Sequence, residues 1–585
     1  MKITLVRKIS QVFFLVIFLW FAIICSFGTQ WWQLRGWPVN LFLQLDPLNA
    51  IATMLSTHTV YKGLLWALLT IILTILLGRF FCGWVCPFGT LHQFFGFLGN
   101  RKRKTKDRIL SNQYNKLQSL KYFFLIAFLI AALVPLGTST SLLTGILDPI
   151  ALMTRSVNII VLPIADTFTH FFSVAPRQYE GAWIIGAIFL TLLFLNLKIP
   201  RFYCRFICPT GALLGLLSRF SLWRIGKTEP TCVNCKSCEK ACEGACEPST
   251  KIRISECVLC MNCIGSCKHK LIKYQTIKSK AGEITSPDVG RRGLILTAVS
   301  GLMAVPLLRM SGLVGANWNN KTIRPPGALP EKEFLQRCIK CGQCMRVCPT
   351  NIIMPSGLEN GIESLWTPKL NYRIGTSGCQ LNCTACGFVC PTSAIRPISL
   401  AEKIGVKDFA NKGPVRMGTA FIDQTRCLPW SMNTPCIVCQ ENCPMTPKAI
   451  YIADKYNTVR DGAREVLDIF QNSIEVSGSQ IKADKYATGD YYISKPTLGG
   501  ESRYRIIANK ANRIELEPKN NKININKSDR ISIQVLLHQP YVDIEKCIGC
   551  GICEHECPVS GQRAIRVSAE NESRSVRSSL LLKKQ

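Results

Sequence analysis

Six runs of four cysteines dominate this sequence of 585 residues and 30 cysteines. They are Cys232, Cys235, Cys238 and Cys242; Cys257, Cys260, Cys263 and Cys267; Cys338, Cys341, Cys344 and Cys348; Cys379, Cys383, Cys386 and Cys390; Cys427, Cys436, Cys439 and Cys443; and Cys547, Cys550, Cys553 and Cys557. Thiolates at C-x2-C-x2-C-x3-C spacing grip the irons of a 4Fe-4S cluster, with the fourth cysteine ligating the other cluster where two runs pair. In the four downstream runs the last cysteine precedes proline, which completes the ferredoxin signature. Two competing chemistries share the residue type. Disulfide frameworks belong to small secreted domains, and zinc ribbons use paired pairs of cysteines rather than runs of four. The first two runs lack the proline, and Cys246 competes with Cys242 as a ligand.

Four further cysteines, Cys82, Cys86, Cys204 and Cys208, form two C-x3-C-P motifs. They close on one more cluster or line a quinone pocket, and both readings stay open from the residues alone. Cys25 reads as a small buried hydrophobe. The chain has no C-x-x-C-H haem site, no dinucleotide or phosphate loop, and six histidines without a nucleophile beside them. Its chemistry is therefore one-electron transfer. The formal charge of +33 does not imply nucleic acid, because six clusters with their thiolates, at about -2 each, offset roughly 12 units. Short basic loops beside apolar spans account for more of the excess.

The elements that hold these cysteines begin with a membrane domain over residues 1-228. Four apolar stretches, Val12 to Phe27, Gly63 to Gly78, Tyr122 to Gly137 and Ala182 to Leu197, approach with their flanks the roughly 20 residues a membrane helix needs. Arg7 and Lys8, the RKRKTKDR run from Arg101 to Arg108, and Lys198 with Arg201 mark the cytoplasmic side. Trp31, Trp32 and Trp37 suit the opposite interface. The two halves repeat each other: Phe81 opens FCGWVCPFGTL and Tyr203 opens YCRFICPTGAL, and Asp46-Pro47 is echoed by Asp148-Pro149. An Asp-Pro pair is the start of a helix, so both aspartates read as N-caps rather than proton carriers. His92 reads as an interfacial histidine, with acceptance of a quinol proton as the sharper alternative.

Residues 229-280 form a cytoplasmic two-cluster domain. At 285-315 the twin arginines Arg291 and Arg292 precede a mildly apolar stretch, which resembles a twin-arginine export signal and supplies a fifth, anchor-like span. Residues 316-458 and 541-570, with four runs, then lie outside the cytoplasmic membrane. Between them, 459-540 alternates β-branched residues with Gly, Pro and Asn punctuation and reads as a β-rich insert. The tail 571-585 reads as disordered. The expected fold class is thus a membrane α-helical bundle joined to α+β bacterial-ferredoxin-like domains with a small β-rich insert.

In this order the motifs resemble two families joined end to end. Residues 1 to about 280 resemble the NapH-type (MauN-like) membrane ferredoxins, with four spans, two C-x3-C-P motifs and a two-cluster domain. From about 285 onward the chain resembles the NapG-type (MauM-like) exported four-cluster ferredoxins. The resemblance implies quinol as electron donor, the membrane quinol pool and an extracytoplasmic redox protein as partners, no nucleic acid, and six 4Fe-4S clusters, or seven if the membrane motifs hold one. It also implies nested pairing of the exported runs, with Cys348 completing the set of Cys547, Cys550 and Cys553, and Cys557 that of Cys338, Cys341 and Cys344. The leading expectation is a quinol dehydrogenase feeding electrons to that partner; the alternatives are an assembly or regulatory factor and a zinc-stapled scaffold.

Overall fold

A computed structural model describes residues 3-27, 37-101, 103-133, 142-169, 176-230, 232-290, 322-358, 361-497, 500-518 and 523-575, together with Ile295 and Val299. Trp31, Trp32, Arg291, Arg292 and the tail from 576 lie outside them. The chain divides into two compact units, one of residues 1-376 and 382-415, the other of 377-381 and 416-585. The single four-run domain expected over 316-458 and 541-570 is therefore split, with its first part belonging to the membrane unit.

Among the described residues three helices are long and apolar enough to cross a bilayer: Ile3-Ile24, Thr105-Leu133 and Pro149-Phe168. The expected spans from Gly63 and from Ala182 fall on shorter apolar helices, Lys62-Leu77 and Ala182-Leu197. The Pro149-Phe168 helix was not legible as a span, because Arg155, Asn158 and Asp166 interrupt its apolar sequence; 72% of its apolar window is buried inside the protein, which hides those groups.

Both repeats build the same local structure. Asp46 caps the helix Pro47-Thr57, its Oδ1 accepting the Leu48 N-H at 2.9 Å. Asp148 caps Pro149-Ser156, its Oδ2 accepting from Ile150 N at 3.1 Å and Ala151 N at 2.8 Å. Proline at the first helical position costs nothing there, since that N-H would have no partner.

The two ends of the helical bundle carry different cysteine-bearing segments of the same unit. At one end Trp84 Nε1 donates to Leu259 O at 3.1 Å, Arg79 Nη1 to Ser255 O at 2.8 Å and Tyr274 OH to Leu77 O at 2.8 Å. Gly83 lies so close to the Val258 carbonyl that a Cβ would collide with it. At the other end Ser56 Oγ donates to Gln336 O at 2.8 Å, Arg155 Nη1 to Lys340 O at 3.0 Å and Gln343 Nε2 to Val39 O at 3.3 Å, and a Cβ on Gly145 would strike the Ile339 carbonyl. The helix Ile3-Ile24 joins the ends. Arg7 near its start reaches Asn262 Oδ1 at 3.3 Å, and Ser26 just past its end accepts from Arg346 Nε at 2.8 Å. At 1.5 Å per residue its 22 residues span about 33 Å, close to the hydrocarbon thickness of a bilayer.

In the second unit six strands close a barrel: β1 Ile450-Phe470, β2 Ser473-Val476, β3 Tyr491-Thr497, β4 Gly500-Lys510, β5 Arg513-Leu516 and β6 Arg530-Val542, in the order β3-β4-β5-β2-β1-β6. Closure removes free sheet edges. Its interior is aliphatic, with Val466, Ile474, Ile493, Ile514, Ile531 and Ile533 all buried, so the barrel is a packed core and not a ligand cavity. The structured insert is wider than 459-540 because β1 and β6 pair from Ile450 with Val542 onward.

Candidate iron-sulfur and quinol sites

Four runs with strict C-x2-C-x2-C spacing share one backbone device. The residue before and the residue after the middle cysteine are left-handed: Asn234 and Lys236, Leu259 and Met261, Lys340 and Gly342, and Gly549 and Gly551. Four of these eight are neither glycine nor asparagine, in a conformation such residues seldom adopt. Alternating left-handed residues turn successive N-H groups inward and make a concave anion site, which suits a cluster whose thiolates leave it negative.

The sulfurs ring hollows. In the first unit Cys338, Cys341, Cys344 and Cys390 line one. In the second, Cys427, Cys436, Cys439 and Cys557 line another. Cys443 lies within electrostatic reach of Cys547, Cys550 and Cys553. The nested pairing is thereby corrected: Cys390, not Cys557, joins the Cys338 run, and Cys443, not Cys348, joins the Cys547 run. A fourth cysteine is chosen by where the chain returns after the run, which local spacing does not encode. In the 224-284 segment Cys242 lies near Cys260 and Cys263. Cys246 hydrogen-bonds the thiols of Cys242 and Cys257 instead. Burial pushes the Cys338 and Cys427 thiols up, each to about 11, so it is the metal's positive charge that would make these two thiolates. Among the described residues no three Cys, His, Asp or Glu side chains are grouped to hold a single metal ion; the cysteines line shared hollows as sets of four instead.

The C-x3-C-P motifs converge. Cys86 Sγ accepts the Gly89 N-H at 3.3 Å and Cys208 Sγ the Gly211 N-H at 3.1 Å, each sulfur capping the helix that its own proline begins. A helix N-terminus favours an anionic sulfur. Arg79 Nη2 stands 3.9 Å from Cys82 Sγ and 3.0 Å from where a Cβ on Gly211 would lie, so one guanidinium serves both repeats. All four thiols are thus gathered at the end of the bundle that meets Val258 and Leu259.

Beside them opens a cavity of about 460 Å³, lined by Arg7, Gln11, His92, Gln93, Arg201 and Glu243 on its polar side and by Val12, Phe94 and Phe97 on its apolar side. Its wall is the first C-x3-C-P motif: Gln11 Nε2 donates to Gly83 O at 2.8 Å and Arg201 Nη1 to Cys82 O at 3.3 Å. His92 is not interfacial but wholly buried, stacked on Tyr203 with ring centroids 5.6 Å apart. Asn196 Oδ1 accepts from Phe202 N, so its amide nitrogen faces His92 Nδ1 as a donor. The imidazole proton then sits on Nε2, which has no partner. Burial holds the His92 pKa down at about 3, so the ring is neutral and donates. The sequence singles out His92 by its place six residues after Cys86 and offers it as an acceptor of a quinol proton; its burial against Asn196 and Tyr203 leaves the neutral ring a donor instead.

A family model described as a 4Fe-4S binding domain matches residues 59-106 and 180-228, the two C-x3-C-P halves. A 4Fe-4S dicluster domain matches 337-394, the two runs that share Cys390, and a further 4Fe-4S binding domain matches 540-560. The chain is 27% identical over 298 residues to the ferredoxin-type protein NapH of Haemophilus influenzae, covering 47% of this chain and 91% of that protein. It is 30% identical over 176 residues to the ferredoxin-type protein NapG of Escherichia coli, covering 29% of this chain and 71% of that protein. Over 234 residues it is 27% identical to the regulatory protein NosR of Pseudomonas aeruginosa, covering 37% of this chain and 30% of that protein. No solved structure matches the chain.

Proposed function

Because this chain belongs to the ferredoxin-type proteins, we propose that it is a membrane quinol dehydrogenase, a NapH-like half fused to a NapG-like half, which delivers electrons to a redox protein outside the cytoplasmic membrane. The observation that carries this reading is the cavity walled by the Cys82-Gly83 backbone, polar on the side of Gln11, Gln93 and Glu243 and apolar on the side of Val12, Phe94 and Phe97, with the buried His92, whose Nε2 has no partner, in the same wall. A quinol is an apolar ring and tail with two oxygens. His92 donates to one oxygen, Gln93 and Arg7 order the polar end, and Phe94, Phe97 and Val12 exclude water around the ring. Glu243, held at 2.9 Å by Arg201, is the anionic group nearest to receive a released proton.

Clusters of the 4Fe-4S type, when bound, supply one-electron transfer at potentials set by burial and hydrogen bonds to sulfur. The residues that would hold them are Cys82, Cys86, Cys204 and Cys208; the two runs from Cys232 and Cys257, with Cys242 serving the second; and the four downstream runs, giving seven. Location of the Cys338 run outside the membrane is supported by the attachment of Gln336 and Arg346 to the opposite end of the bundle, and of a helix of bilayer length, from the 224-284 segment. The regulatory reading has the likeness to NosR behind it.

The test is cluster reduction by quinol in the anaerobically purified full chain. His92→Phe keeps the ring volume and removes one donor to a bound oxygen, a loss of about 1-3 kcal/mol, or roughly tenfold or more in rate. Chemical reduction by dithionite should be unchanged. Equal quinol rates for both proteins would remove this cavity from the reaction, and no reduction by quinol in either would favour the regulatory reading.

A further inference from the structure

Two acidic side chains of the membrane domain have no part in quinol oxidation as proposed. Asp46 and Asp148 occupy equivalent positions in the two repeats, and both are completely buried. They also meet. The amide of Asn49 donates at 3.3 Å to Asp46 Oδ2 and at 3.3 Å to Asp148 Oδ2, which sets the two buried carboxyls side by side around one donor group. One neutral amide does not offset two buried negative charges, so the pair is relieved when one carboxyl carries a proton. Two adjacent negative charges would in addition repel by about 4 kcal/mol at 4 Å, even with strong screening.

Among the described residues the surroundings supply donors and no ion pair, with Arg155 within electrostatic reach of Asp148. Asp148 accepts from two backbone N-H groups and from Thr210 Oγ1 at 2.7 Å; Thr210 belongs to the second C-x3-C-P helix, two residues after Cys208. Asp46 accepts from Leu48 N and Asn49. Asp148 accordingly has the larger set of donors, and Asp46 is the carboxyl placed to carry the proton. Arg155, on the Asp148 helix, directs its guanidinium to the carbonyls of Gly145, Ile146 and Lys340. Tyr203 donates its hydroxyl to Leu147 O, and Lys121 and Tyr122, from the Leu120-Leu133 helix, are turned to Glu256. A second observation points the same way: Asn49 is itself fully buried and aimed into the pair, yet its Oδ1 has no partner.

We propose that Asp46 and Asp148 together bind a single exchangeable proton at the junction of the two repeats, giving the membrane domain a buried proton site one hydrogen bond from the C-x3-C-P helix. It stands on this geometry whether or not the neighbouring thiols hold a cluster. Infrared difference spectroscopy of the full chain in lipid nanodiscs at neutral pH, in light and heavy water, reads it directly. The expected result is a deuterium-sensitive carbonyl band of a protonated carboxyl, lost in Asp46→Asn, where Asp148 keeps its three donors, and shifted but retained in Asp148→Asn, where Asp46 stays buried. Thr210→Val should shift the band without removing it. Absence of the band in the unaltered protein overturns the proposal, as does a band that survives unchanged in Asp46→Asn. If both asparagine variants fail to fold, a band that Thr210→Val leaves unmoved overturns it equally.

Discussion

Replacing Cys390 by serine is expected to remove about four irons from the protein and to abolish the same cluster signal that Cys338→Ser abolishes, because these cysteines line one hollow. Cys557→Ser should instead act together with Cys436→Ser, the two sharing the other hollow. The physical reason is burial. A serine hydroxyl is a far poorer iron ligand than a thiolate, and the site is closed by Phe334, Ile339 and Val389, so no outside ligand enters easily. Iron analysis with paramagnetic resonance of the reduced single variants decides between the two pairings. A shared signal for Cys557 and Cys338 would restore the nested arrangement.

The second large effect is expected at Glu256, beside Cys257. Its carboxylate accepts from Lys121, from Tyr122 OH at 3.1 Å and from Gln118 Nε2 at 3.2 Å, tying the 224-284 segment to the Leu120-Leu133 helix. Lys121 is fully buried, so Glu256→Gln leaves an ammonium without its counter-charge, a loss of about 3-5 kcal/mol. The variant should unfold at markedly lower temperature, with the 224-284 segment gaining protease sensitivity first. Burial raises the pKa of this carboxyl, but Lys121 and Arg79 more than offset it and the net direction is downward. A carboxylate depressed in the folded state contributes its stability above the unfolded value of about 4.3 and loses it as pH falls below that. Stability of the unaltered protein should therefore drop on acidification through that range, and Glu256→Gln should flatten the drop. An unchanged acid profile in the variant would mean that the ion pair carries no net stability.

What the sequence made legible was whatever depends on nearest neighbours. The cysteine spacings, the two C-x3-C-P motifs and the Asp-Pro helix starts need only a few residues to define them, and each takes the local form its residues dictate: Cys86 and Cys208 cap helices, as do Asp46 and Asp148. The β-branched segments from Tyr491, Tyr504, Arg513 and Arg530 lie on strands β3 to β6. Illegible were the features set by chain return. Cys390 and Cys443 reach their partners through intervening loops, Asp46 meets Asp148 across the repeat, and His92 is buried by Asn196 and Tyr203 from the other half. Hydropathy set its four stretches on apolar helices but did not mark Pro149-Phe168, for a related reason: Arg346 pairs with Asp166 at 3.0 Å, both buried, so a charge within that helix is countered inside the protein rather than excluded from the span.

The account stands or falls on electrons crossing the bilayer. The full chain, oriented in sealed vesicles with quinol in the membrane and a membrane-impermeant electron acceptor on the side of the C-terminal unit, should reduce that acceptor, and Cys82→Ser or His92→Phe should slow it severely. Acceptor that stays oxidised while quinol reduces only the clusters of the 224-284 segment would contradict it.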